Sequence, residues 1–117
     1  MKVIITENKL KDFIRKTFSV DLTNKIEMVT NFWDIPHQFD GLFTRTQVNR
    51  YLNNFGPMYV FTTNGMKYLA LPKREDGWMI YDSKLNRLSE VGLLSELGLQ
   101  YLGFSLDKVI DLYFEEY

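Results

Sequence analysis

With 117 residues, 45% of them apolar, the chain is long enough for one compact hydrophobic core and too short for two ordinary domains. Fourteen basic against fifteen acidic side chains leave a net charge of −1, so no overall positive field marks a nucleic-acid binder and only a local patch stays open. The absence of cysteine excludes disulfides, thiol nucleophiles and cysteine-based metal sites, and it suits a reducing cytoplasm.

The apolar run Val3-Ile4-Ile5 is too short for the core of a secretion signal, which predicts that the chain is not exported by that route. No run approaches the roughly eighteen apolar residues of a membrane span, so a soluble, cytoplasmic protein is expected. Val3 to Ile5 read as a short strand. Thr6 then caps a helix with Leu10, Phe13, Ile14 and Phe18 on one face, and the charges on its other side read as a solvated surface. Between Asp21 and Trp33 the pattern serves two structures: Ile26, Val29 and Trp33 fit a helix, whereas Ile26 and Met28 fit a strand. The helix is the preferred reading. Pro36 stops it, and Asp34 to Asp40 read as a loop.

Thr44 caps a second helix to about Asn54, with Val48, Tyr51, Leu52 and Phe55 facing one way and polar side chains the other. Gly56 and Pro57 end it. Strands Met58 to Thr63 and Met66 to Leu71 follow, joined by Asn64-Gly65, a dipeptide suited to positive φ at both turn positions. A third strand, Trp78 to Asp82, completes an antiparallel meander over about 58–82. Ser89 caps a short helix through Leu97 that Gly98 stops. Ser105 caps a final helix with Leu106, Val109, Ile110, Tyr113 and Phe114 on its buried side. The whole is expected to be one α+β domain over 1–117, with helices at both ends.

Little in this inventory suits catalysis. His37 is the only histidine, and no nucleophile motif lies near it. Metal-loop acid spacings and phosphate-binding glycine loops are missing as well, and Glu75, Asp76 and Asp82 read as solvated turn acids. The expectation is a non-enzyme without metal or cofactor. Two binding surfaces remain. Phe32, Trp33, Phe39 and Phe43 lie in or beside the proline-containing loop, where rings either seal a core or anchor a partner. Asp107, Asp111 and Glu115 recur every four residues along the last helix, and Glu116 extends the row. Residues 90–117 hold six acids and one lysine, a concentration of charge able to meet a basic patch. The surplus of aromatic residues also permits a homodimer.

Two resemblances bear on function. Lys2, Ile4, Ile5, Thr6, Glu7 and Leu10 form a K-[IV]-I-I-T-E-x-x-L opening similar to that of many small proteins of tailed phages and their hosts. That similarity implies a phage-type inhibitor of a host or defence enzyme, such as an RNA-guided nuclease (an anti-CRISPR-like role), acting by steric occupancy. Segment 44–72 resembles the recognition helix and wing of winged-helix proteins in order and spacing. It implies the alternative, a DNA-binding regulator reading bases through Arg45, Gln47, Asn49 and Arg50, with Lys67 near the hairpin tip.

Overall fold

A computed structural model describes residues 25–73, 77–99, 103 and 105–114 of the chain. The strand and helix expected over Val3 to Phe18, the phage-like opening, Glu75, Asp76, Glu115 and Glu116 lie outside the described residues.

The sheet grows outward from the Asn64-Gly65 hairpin. Both turn residues adopt positive φ, 51° and 78°, which matches the twist of the strands they join. Strands β2 (Met58–Thr63) and β3 (Met66–Pro72) therefore pair in tight register, with Thr63 opposite Met66 and Tyr59 opposite Ala70. The Lys73 N–H donates to the Gly77 carbonyl at 3.1 Å and returns the chain as β4 (Trp78–Tyr81) beside β3. A turn tied by Asp82, whose Oδ1 accepts from the N–H groups of Lys84 and Asn86 at 2.9 Å each, leads to β5 (Arg87–Leu88). On the other side of β2 lies β1 (Lys25–Val29), with Ile26 opposite Phe61. The result is a five-stranded antiparallel sheet in the order β1-β2-β3-β4-β5, and the fold is α+β.

β1 replaces the helix preferred for Asp21 to Trp33, and the reason is physical. Ile26 and Val29, three apart, suggest one helical face. In a sheet covered on both sides, residues three apart point to opposite covers, and both are buried, Ile26 in one cluster and Val29 in the other. The expected loop over Asp34 to Asp40 is likewise partly ordered, as 3₁₀ turns at Phe32–Asp34 and His37–Phe39.

Two cores flank the sheet. Helix α1 (Arg45–Phe55) and the two 3₁₀ turns belong to the long excursion between β1 and β2. They cover the face built from Val29, Met58, Val60, Leu69 and Leu71. Thr44 caps α1 through a reciprocal box with Gln47, and Gly56, at φ 90°, ends it. Helices α2 (Glu90–Glu96) and α3 (Leu106–Phe114) cover the face carrying Ile26, Phe61, Tyr68, Ala70 and Ile80. Ser89 caps α2 through the Gly92 N–H at 2.9 Å, and the Ser105 hydroxyl accepts from the Lys108 N–H at 3.3 Å. Glu90 joins the two helices, its carboxylate accepting the Leu106 N–H at 2.6 Å. Beyond the expected Leu106, Val109 and Ile110, α3 also buries Leu112, while Tyr113 and Phe114 stay half-buried.

Candidate binding surface

The turn after β1 leaves one large ring outside the core. Asp34 accepts through a single carboxylate oxygen from the N–H groups of Thr30 and Asn31 at 3.1 and 3.3 Å, and from the side chains of both. Asn31 in turn accepts the Trp33 N–H at 2.9 Å, which closes a capping box around a single 3₁₀ turn. Phe32 points inward against the α1-side core. Trp33 points outward and is 73% exposed, the most exposed of the large hydrophobic residues described. Its ring meets Phe32 edge-on at 5.1 Å, and the Arg45 guanidinium lies over it, 5.2 Å from the ring centroid.

Arg45 is the first residue of α1, where the helix dipole disfavours a positive charge, and no acid offsets it in the first turn. Its contact with Trp33 gives that charge a partner. Further along α1, Asn49 and Arg50 are also exposed, so this cover presents a cationic, amide-rich surface beside an indole. Gln47 is committed to the cap of Thr44. Lys67 is half-buried in β3 opposite Thr62, and the hairpin it belongs to is flanked by β1 and β4 rather than standing free as a wing.

The four rings read together as an anchor separate by burial. Phe39 is 2% exposed and is a core residue of the α1-side cluster. Phe32 and Phe43 are half-buried against the same cluster, Phe43 meeting Tyr81 edge-on at 6.3 Å. Only Trp33 is offered to solvent. The carboxylates form a second surface: Asp107 and Asp111 are exposed on α3, over the opposite face of the sheet, so they and Trp33 belong to different covers. His37 is exposed, its Nδ1 3.2 Å from the Asp40 carboxylate.

Beside α3 lies an open cavity of about 380 Å³, lined by Met28 of β1, Tyr59 of β2, and Lys108, Ile110, Asp111 and Phe114 of α3. The Tyr59 ring is 5.8 Å from both Trp78 and Phe114. Burial pushes the Tyr59 phenol above its ordinary value of 10.0, and the negative charges of Asp111 and Asp107 push it further the same way. The chain pattern did not announce this cavity, because its walls come from three distant segments. The Trp33 turn did carry a readable signal, an Asn followed three residues later by an acid, which a single long helix over this stretch obscures.

Among the described residues, no group of three or more His, Cys, Asp or Glu side chains is placed to hold a metal ion, and no helix is long and apolar enough to cross a membrane. No family model, curated protein or solved structure matches the chain.

Proposed function

We propose that this protein is a non-catalytic binding module that acts by occupying the surface of another protein, with Trp33 as the anchor and Arg45 beside it. The observation that carries this reading is the exposure of Trp33 on a turn closed by the Asn31–Asp34 capping box. From its own fold the indole gains an edge contact with Phe32 and the Arg45 cation–π contact, whereas a rigid Trp next to an Arg loses little entropy on docking, and both residue types are enriched at the energetic centres of interfaces. The phage-like opening of the chain gives the proposal its setting: a steric inhibitor of a host or defence enzyme, with an RNA-guided nuclease as one candidate target.

A second reading, a DNA-binding regulator, draws on the acid-free outer surface of α1 with Arg45, Asn49 and Arg50. The two readings part in a single experiment. Tagged full-length protein is recovered from a nuclease-treated lysate of a candidate bacterial host. The protein-binding reading expects one protein in stoichiometric amount that survives nuclease. Recovery of nucleic acid instead, lost on nuclease treatment or at raised salt and abolished by Arg45→Ala with Arg50→Ala, would replace it with the DNA reader.

A further inference from the structure

The surroundings of Trp33 indicate what its partner must carry. An indole that is 73% exposed needs an apolar recess to bury it, and the Arg45 guanidinium, 5.2 Å from the ring centroid, stands at the edge of any such recess. Among the described residues neither Arg45 nor Arg50 forms an ion pair, and α1 carries no acid along its eleven residues. The acids of the preceding turns are engaged already: Asp34 accepts from Thr30 and Asn31, and Asp40 faces His37 at 3.2 Å. Arg45 is therefore the charge beside the indole that docking can still pair with an acid. A guanidinium that meets a ring keeps an N–H fork suited to a carboxylate. Asn49, exposed one turn later and about 40° from Arg45 around the helix axis, adds an amide donor on the same side.

These features select an occupant. A nucleic-acid strand asks for several cations in a row, whereas Arg45 and Arg50 lie about 140° apart around α1, and the Asp34 carboxylate sits on the indole's own turn, where it repels a polyanion. A wholly apolar recess would strip water from the guanidinium without replacing it. A single carboxylate at the rim of an apolar recess satisfies the ring and the fork together. We propose that the protein surface receiving Trp33 carries an aspartate or glutamate side chain that pairs with Arg45 as the indole is buried. The inference rests on the reading of Trp33 as the anchor and gives its partner a chemistry.

The test uses the full chain with a blocked leucine–glutamate repeat peptide, its leucine–glutamine twin as the neutral control, and a short oligothymidylate as the polyanion. Binding is followed by NMR on the indole N–H signal of Trp33, which Trp33→Phe identifies by its loss. The glutamate peptide should shift that signal and bind roughly threefold or more tightly than the glutamine peptide at low salt, the margin expected of a partly exposed ion pair, and the margin should shrink as salt is raised. Arg45→Gln should erase the margin and Arg45→Lys, which keeps the charge, should retain most of it. Arg50→Gln removes the same charge from another side of α1 and should leave the margin in place. Equal binding of the two peptides, no shift with either, or a margin that survives Arg45→Gln would overturn the proposal. So would tighter binding of the oligothymidylate, which would favour the DNA reader. Capture from the nuclease-treated lysate separates this inference from the reading beneath it. A protein lost with Trp33→Ala but fully retained by Arg45→Gln leaves the anchor and removes the carboxylate, whereas capture indifferent to Trp33→Ala removes both.

Discussion

The helices on the α2–α3 face of the sheet fully bury several side chains, whereas α1 on the other face fully buries one and shares its cover with Phe39 and half-buried rings. α3 buries Leu106, Val109, Ile110 and Leu112 within nine residues, and α2 adds Leu93 and Leu94. α1, with eleven residues, fully buries only Val48. Phe39 and the half-buried Phe32, Phe43, Tyr51 and Leu52 supply the rest of the α1-side packing, and the reciprocal box of Thr44 and Gln47 and the four donors gathered by Asp34 order the turns around it. The outer side of this shallower cover is where the exposed Trp33 and the dipole-opposed Arg45 are found. The covers also differ in sign: α1 carries two arginines and no acid, whereas α3 carries Asp107 and Asp111 against Lys108.

Core truncation should separate the two covers most strongly. Leu106 is fully buried, and Leu106→Ala should lower the unfolding free energy by about 2–5 kcal/mol in chemical denaturation. Val48→Ala removes less apolar volume from a helix with no other fully buried side chain and should cost about 1–3 kcal/mol. If Val48→Ala proved the more damaging, the contrast between a deeply packed cover and a shallower one would fail.

Caps give the next largest effect. Thr44→Ala removes the hydroxyl that accepts the Gln47 N–H at 3.2 Å and should destabilise by about 1 kcal/mol, with faster amide exchange confined to the first turn of α1. An effect in the opposite direction is expected at Thr62, a strand residue on the α1 face whose hydroxyl is buried without a hydrogen-bond partner. Thr62→Val keeps the shape and the β-branch while removing that unpaired group, so it should stabilise by about 1 kcal/mol, read as a higher denaturation midpoint.

The smallest effect is also the most selective. Burial raises the pKa of Tyr51 on the α1 cover, with a contribution from Tyr81. It also raises Tyr59 and Tyr68 on the other face, where carboxylates add to it: Asp111 and Asp107 for Tyr59, Glu96 and Asp82 for Tyr68. A raised folded-state pKa leaves stability intact below the ordinary tyrosine value of 10.0 and erodes it as pH climbs through that value towards the folded one. Salt screens charge but not burial. Raised salt should therefore bring the ionisation of Tyr59 and Tyr68 back towards that value, while Tyr51 moves less. Ultraviolet titration of single Tyr→Phe variants measures this.

Which parts of this were legible in the sequence follows from where each signal resides. The hairpin, the meander and the caps at Thr44, Ser89 and Ser105 depend on local chemistry, a turn dipeptide or a hydroxyl before an apolar stripe, and such chemistry survives in one dimension. β1 was hidden because a two-sided sheet buries Ile26 and Val29 on opposite faces and so imitates a helical spacing. Leu112 lay outside the expected stripe because α3 buries more than one narrow face. At the candidate sites, Trp33 could be named from the chain as an aromatic in a proline-containing loop, yet nothing local separates it from Phe39, which enters the core. The Arg45 guanidinium over Trp33 joins two elements, and the cavity joins β1, β2 and α3. Both exist only once the chain is folded.

The central claim is that Trp33 is held outside the core for a partner rather than for the fold. The most direct measurement is the thermal midpoint of Trp33→Ala set beside its yield of co-purifying protein from the same nuclease-treated lysate. Trp33→Ala keeps the backbone N–H of the capping box and removes one edge contact and one exposed cation–π contact, so it should cost no more than about 1 kcal/mol and leave the midpoint close to that of the native chain while the captured protein disappears. A large drop in midpoint with capture unchanged would contradict the account and make Trp33 a structural residue.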